Sequence, residues 1–560
     1  MDSRMDFRSL WTAALTDWRW IWLLLLLPVA LFLPALPIDE TRYLAVAWEM
    51  RAHGEFLVPH LNGVTYADKP PLLFWMINVA WTMFGLNIWS IRLGILAASF
   101  ASIALFEHLV RRLDPDAALA RRAAFIFMSM IYFALFSSAI MFDVLLTTWV
   151  LLALHGAVDL DEKRWRRGTL LLVVGFGLGI LTKGPVVLLD AGLAVLFAPW
   201  WSDTAKRHKA CWYGCLGLAV LGGAAIALAW AIPAAIAGGH DYANAIFFHQ
   251  TVDRMTKSFA HRRPIWWYFT VVPFMVLPWT IVMRASWSTW RDSFHISKSV
   301  RFGIAWAVPA FIAFCLVSGK QPHYLLPLLG ALAIYLATVL SRSGSRVSGW
   351  LFWILLSVAG VVLAALPIAI TNVDQMTWMH AVIHRLDLTA SSLLVITHLS
   401  PAWGVCIAAI GAASLCYARL RNSLRAVAVG CVAGAALAAL GLAQMMGPYI
   451  DVSDAAARIK QFQDSGRPIA HLAWHHGLFE FAGRLTQPLE RVTFGDLHEW
   501  CVKHPDGEIV TFYTKYPVPV KPDLEIPYRF GKITFWRAVD IIPVQIVPAP
   551  KQDDDESTDD

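Results

Sequence analysis

Between Trp20 and Ile450, apolar runs long enough to cross a bilayer follow one another with only short polar interruptions. The first of them, Trp20–Leu36, contains no ionisable residue at all. With 58% hydrophobic and 15% charged residues, the chain carries more apolar surface than a soluble domain can bury. In hydrocarbon every backbone N–H and C=O must be satisfied within the segment, so these runs are expected to be helices. The class is therefore a polytopic α-helical membrane protein, and the lipid bilayer is its first partner. The net charge of +6 arises from basic residues gathered in short loops, which orients spans and requires no nucleic acid.

Loop charge sets an expected topology. Arg4, Arg8 and Arg19 place the N-terminus in the cytoplasm ahead of an uncleaved first span. Leu72–Phe84 is apolar but short, and a crossing there would send Arg111, Arg112, Arg121 and Arg122 outward, so a juxtamembrane or re-entrant helix is expected. Counting onward gives about thirteen spans, including single crossings over 123–141, 185–200 and 265–283, with the C-terminus outside. The chain divides into a transmembrane domain over 1–446, an outer α/β domain over 447–545 and a disordered acidic tail over 546–560. In the outer domain, Asp454–Asp464 reads as a helix, and Pro468–Trp474, Glu508–Tyr513 and Tyr528–Ala538 read as strands. The seven scattered cysteines form no metal spacing and no disulfide framework.

Against this apolar background one segment is out of place. From Pro37 to Pro71, at the head of an active-site loop taken as 37–87, ten ionisable residues crowd together: Asp39, Glu40, Arg42, Glu49, Arg51, His53, Glu55, His60, Asp68 and Lys69. Such a density belongs in water, at the interface or in a polar cavity, and it points to function. Asp39 and Arg42 stand three apart and share a helical face. Pro70-Pro71 hold Lys69 in extended backbone, where its ammonium suits a phosphate. Glu49, Arg51 and Glu55 read as ordinary ion-paired interfacial residues.

Further along, Asp143 stands at the outer end of a span, with a helix-capping role and a cavity-facing role evenly balanced. Lys183 in TKGP reads as a snorkelling lysine. The loop Gly238–Pro264 carries His249, Arg254 and other basic groups on the outer side, which suggests an anionic partner such as a lipid phosphate. Lys320 and Tyr324 in SGKQPHY extend that theme. His471, His475 and His476 read as exposed loop histidines, and the pairs Asp114/Asp116 and Asp159/Asp161 as solvated cytoplasmic turns.

The succession DETRY, GEFLVPHLNGVTYADKPPL, an Asp at the head of a later span, TKGP, HRRPIWWY and SGKQPHYLLP resembles the ArnT-type lipid A aminoarabinose transferases, which are protein O-mannosyltransferase-like proteins of the GT-C fold. The resemblance covers nearly the whole chain. It implies transfer of a sugar, 4-amino-4-deoxy-L-arabinose or a related one, from a polyprenyl-phosphate carrier to lipid A of lipopolysaccharide. The site would lie on the periplasmic face of the bacterial inner membrane. By motif, Asp39 and Asp143 match the catalytic aspartates. Lys69, Arg254 and Tyr324 match contacts to the carrier phosphate, with Arg42, Tyr66 and Lys320 beside them. Asp68 and His249 match a metal-binding pair for a divalent cation, although Asp68 stands where the family has Glu. Two alternatives stay open: transfer to a hydroxyl acceptor, as in protein O-mannosylation, and a non-enzymatic flippase of lipid-linked sugars. The absence of visible repeat symmetry and the presence of an outer folded domain favour an enzyme.

Overall fold

The structure is a computed structural model that describes residues 17–247, 263–283, 297–342, 347–372, 390–513, 520–529 and 531–543. His249, Arg254, most of the outer loop around them and the acidic tail lie outside the described residues.

The chain begins with an apolar helix α1, Trp18–Phe32, followed by the polar helix α2, Asp39–His53. Acidic residues open α2, Arg51 and His53 close it, and Gly54 at φ 69° ends it in the left-handed conformation. A two-residue hairpin, β1 His60–Leu61 against β2 Val64–Thr65, leads to Pro70-Pro71 and helix α3, Leu72–Phe84. At 13 residues α3 is about 20 Å long, short of a crossing, and it packs against α2. The long helices α4 (Trp89–Leu113), α5 (Phe142–Asp161), α6 (Trp165–Lys183) and α7 (Lys209–Asn244) follow.

Among the described residues, eight helices are long and apolar enough to span a membrane, with α1, α3 and Pro401–Cys416 as shorter apolar helices. The polytopic helical class therefore stands, but three expected single crossings are interrupted. The stretch 123–141 is divided between Ala117–Met128 and Ile131–Phe136. The stretch 265–283 is divided between Trp267–Met275 and Trp279–Val282, at Pro278. The stretch 185–200 passes through π, α and 3-10 turns between Leu188 and Trp200. Hydropathy registers apolar content and is blind to a proline or serine that frees backbone groups within it.

The freed groups are satisfied inside the protein, as membrane depth demands. Ile131 N donates to Leu277 O at 2.8 Å, and Trp279 Nε1 donates to Ile126 O and Ser129 Oγ, each at 3.1 Å. The two breaks thus stitch to one another. Elsewhere, Trp350–Thr371 and Pro401–Cys416 cross where Gly360 and Gly404 meet, and a Cβ on either would run into the other helix's backbone.

At one end of the bundle, arginines and carboxylates pair between spans. Asp159 is fully buried, with Arg112 hydrogen-bonded to it and Arg167 Nε at 3.1 Å, while Asp161 pairs with Lys298 and Asp114 accepts from Ser299. The expectation of solvated turns is corrected for Asp114, Asp159 and Asp161, whereas Asp116 is an exposed helix cap. Each of the three corrected carboxylates lies where two helix ends converge, so it fastens the ends to one another.

The opposite end carries a domain with a five-stranded mixed sheet in the order β4-β3-β5-β7-β6. Its strands are β3 Ile469–Leu472, β4 Glu490–Val492, β5 Glu508–Tyr513, β6 Leu524–Tyr528 and β7 Gly531–Arg537. The helix Ser453–Asp464 precedes the sheet, one residue longer than read from sequence. The three-residue β4 is too short for an alternation to show. His471 and His475 are buried, not exposed: His471 lies in β3, which is covered on both faces, and His475 in the loop after it packs against His471 and Phe479. Phe481 belongs to the core of the membrane bundle, with Trp474 packed against it, so the loop after β3 reaches down into that core.

Candidate active site

Asp39 and Glu40 are neighbours at the head of α2, and their surroundings differ sharply. Glu40 is buried and bidentate with the fully buried Arg92, at 2.5 and 3.1 Å, and it also accepts Leu36 N and Ile140 N, each at 2.8 Å. Arg92 further donates to the carbonyls of Leu33, Pro34 and Ser138. This knot ties the end of α1, the start of α2 and the approach to α5 together. It was missed in the sequence, where the only sign was an arginine inside the apolar run WSIRLGIL.

Asp39 faces the other way, with its side chain 46% exposed. Its carboxylate accepts from Arg42 Nη2 at 2.5 Å and from Tyr43 Oη at 3.3 Å. Burial pushes its pKa up, but the charges of Arg42, Lys69 and His323 outweigh that and hold it below the usual carboxylate range. Arg42 keeps one donor in reserve: its Nε is buried and has no hydrogen-bond partner among the described residues.

The loop bearing Lys69 is held from three sides. Glu49, buried in α2, accepts from the backbone N–H of Asn62 and Gly63 at the hairpin tip. Trp230 Nε1 on α7 donates to Leu57 O at 2.9 Å, and Trp75 Nε1 donates to Phe56 O at 2.8 Å. Asp68 and Lys69 lie half-buried on the turn before Pro70-Pro71, and Tyr66 is buried with its ring edge-on to Phe74. Lys69 and His323 both act on Asp39, so the loop, the head of α2 and the Pro322–Leu328 turn converge.

A second ion pair completes the cluster. Asp143, buried in the first turn of α5, receives Lys183 Nζ from the end of α6 at 2.5 Å. The Lys183 ammonium also stands 4.6 Å from the Tyr324 ring centre, a cation–π contact. Lys183 is therefore an ion-paired member of the site, and the snorkelling reading is corrected. Its signal in sequence was faint, since nothing along the chain links it to Asp143. His323 stacks edge-on against Tyr324 at 4.9 Å and was likewise overlooked as a site residue.

Lys320 is placed differently. It is buried and donates to the carbonyls of Arg263 at 3.0 Å and Val317 at 2.5 Å, which fastens the loop before the Pro322 turn, and burial draws its pKa down. Among the described residues no group of three or more His, Cys, Asp or Glu side chains stands together as a metal site. Asp68 is the one described member of the expected metal pair.

A bundle with broken spans, a juxtamembrane helix heading a cluster of paired charges and a sheet domain at the same end defines a polytopic membrane protein of GT-C architecture. Residues 68–234 match the family model described as dolichyl-phosphate-mannose-protein mannosyltransferase. Curated relatives include the undecaprenyl phosphate-alpha-4-amino-4-deoxy-L-arabinose arabinosyl transferases of Enterobacter sp. (strain 638), 29% identical over 59% of this chain and 60% of that protein, and of Edwardsiella ictaluri (strain 93-146), 32% identical over 54% and 55%. The sequence match thus spans about 60% or less of the curated relatives' length. The crystal structure of ArnT from Cupriavidus metallidurans bound to undecaprenyl phosphate matches 94% of this chain and 98% of that one, with a TM-score of 0.72 at 19% identity. The fold of that ArnT structure is shared over nearly the full length.

Proposed function

We propose that the chain is a glycosyltransferase of the bacterial inner membrane. It moves 4-amino-4-deoxy-L-arabinose or a related sugar from an undecaprenyl-phosphate carrier to lipid A, at a site open to the periplasm. Residues 1–446 would form the catalytic membrane domain and 447–545 the periplasmic domain. The observation that carries this reading is the cluster at the domain-bearing end. There Asp39–Arg42, Lys69, Asp143–Lys183 and Tyr324 come together from separate segments, with an Arg42 N–H that no described residue accepts and that suits an anion. The relatives' printed substrate and the ArnT structure's bound undecaprenyl phosphate agree with that anion being a polyprenyl phosphate.

In this reading Lys69, Arg42 and Arg254 hold the carrier phosphate, with Tyr66 and Tyr324 walling it in. The bond from the anomeric carbon to the phosphate oxygen breaks, the electron pair leaves on the phosphate, and the positive groups stabilise the charge that grows there. An acceptor oxygen attacks from the opposite face and inverts the centre. Asp39, anionic and held below the ordinary range, is a weak base suited to balancing positive charge on the sugar. This favours an acceptor that arrives already ionised, such as a lipid A phosphate, over a hydroxyl that must lose a proton. Lys320 is left out of the set because its ammonium fastens a loop. A divalent cation remains the proposed occupant of Asp68 and His249.

The test is purified full-length protein in nanodiscs, given an undecaprenyl-phosphate-linked sugar and lipid A without any ion gradient. Donor consumption with the sugar attached to a lipid A phosphate supports the proposal. Movement of the donor across the bilayer without cleavage would establish the flippase. Attachment to a hydroxyl would replace the phosphate acceptor and return Asp39 to the role of base.

A further inference from the structure

The sheet domain meets α2 and the hairpin through residues 474–490, while Arg529 N donates to Tyr449 O at the end of the last apolar helix. Trp48 Nε1 donates to Leu485 O at 2.7 Å, and Asn62 pairs in both directions with the Leu489 backbone, at 2.8 and 2.7 Å. Phe481 stacks on Trp81 at 4.8 Å, and the Arg484 guanidinium lies 3.9 Å from the Phe481 ring centre and 5.5 Å from that of Trp48. These contacts fasten the far half of α2. At the near half, beside the charge cluster, the contact is made by Gly477.

Gly477 has φ +75°, a conformation L side chains rarely adopt. A Cβ there would stand 2.7 Å from Leu61 Cδ1, 2.9 Å from Ala45 Cβ and 3.3 Å from Arg42 Cα. The leucine tip can swing aside, whereas Ala45 Cβ and the Arg42 backbone are fixed to the helix. A close-packed contact of this kind transmits position directly, since an added methyl must displace one partner.

We infer that Gly477 is a positioning residue: through its contact with Ala45 and Arg42, the sheet domain sets where α2 presents the Asp39–Arg42 pair to the carrier phosphate. The domain is then part of the active-site scaffold and not an appendage. The inference rests on the functional reading above for its effect on turnover, though not for its effect on the helix. It also explains why the loop enters the core of the bundle while the rest of the sheet domain keeps its own cores.

Gly466 supplies the control. It lies in the same domain at φ +70°, and a Cβ there meets nothing within 4 Å. Gly466→Ala therefore carries the same backbone strain without touching α2. In full-length protein, Gly477→Ala is expected to lower kcat by about tenfold to a hundredfold, the scale of a small misplacement of reacting groups. Gly466→Ala should stay within about twofold at a similar loss of Tm. The double variant Gly477→Ala/Ala45→Gly, which removes the 2.9 Å encounter, should recover most of the lost kcat. Hydrogen exchange over residues 39–53 should quicken in Gly477→Ala and not in Gly466→Ala. Equal behaviour of the two glycine variants in both kcat and exchange, or no recovery in the double variant, overturns the inference. If the parent protein fails to consume an undecaprenyl-phosphate sugar, the functional reading falls alone, and exchange over α2 decides whether Gly477 positions the helix.

Discussion

Two adjacent carboxylates at the head of α2 meet opposite fates. Glu40 is sealed against Arg92, and the guanidinium nitrogens of Arg92 and both carboxylate oxygens of Glu40 all have protein partners. Asp39 has one arginine and one tyrosine, is nearly half exposed, and its arginine holds an N–H with no partner among the described residues. A saturated buried pair resists change and fixes geometry. A pair with capacity to spare can take a ligand, the role proposed for Asp39 and Arg42. Saturation, more than charge, separates the scaffold from the site.

Breaking the saturated pair should have the largest effect. Arg92→Ala leaves Glu40 buried without its cation, and a loss of about 3–5 kcal/mol in stability is expected, read as a collapse in folded yield or in Tm. If Arg92→Ala folds normally yet loses turnover, the knot belongs to the site and the contrast fails. Asp39→Asn should do the reverse, lowering turnover by about 10²–10³-fold, about 3–4 kcal/mol of barrier, with Tm near that of the parent. A near-parent rate would move the catalytic assignment to Asp143.

Lys69→Ala is expected to weaken binding of undecaprenyl phosphate by about tenfold to a hundredfold, and Lys69→Arg should restore only part of it, because a planar fork does not replace a point charge. Unchanged binding would remove Lys69 from the phosphate set. The smallest effect is expected at the domain interface. Burial pushes Glu480 up to about 7 from its ordinary 4.5, with His475 Nδ1 3.3 Å from its carboxylate. The folded domain then keeps a proton that the unfolded chain has released, so this contribution is full below about pH 4.5 and is lost as the pH rises through about 7. Glu480→Gln should accordingly raise Tm at about pH 8, by about 1–2 kcal/mol of stability, and the gain should shrink towards about pH 5. A gain independent of pH would show that Glu480 does not hold that proton.

Much of the site was legible because polar residues are conspicuous in an apolar chain. Asp39, Arg42, Lys69, Asp143 and Tyr324 all stand out at the ends of apolar runs, and their motif order carried the family resemblance. Lys183, His323 and Arg92 did not stand out, since each has its meaning in a partner 40 or more residues away. Lys320 illustrates the converse: its position suggested a ligand contact, and its reach to two nearby carbonyls gives it a structural one.

By itself the sequence determined the solvent. Apolar runs of bilayer length leave helices as the only way to satisfy the backbone, and the polar segment after the first run had to lie in water, at the interface or in a polar cavity. Tertiary structure decided which apolar runs stay whole, because a break at Ser129 or Pro278 is tolerated only where another segment supplies the missing hydrogen bonds. It also decided which of two neighbouring acids is sealed in a buried pair and which stays partly exposed. That choice depends on the groups that surround each carboxylate in space, and Arg92 and Lys69 reach their places only when the bundle closes.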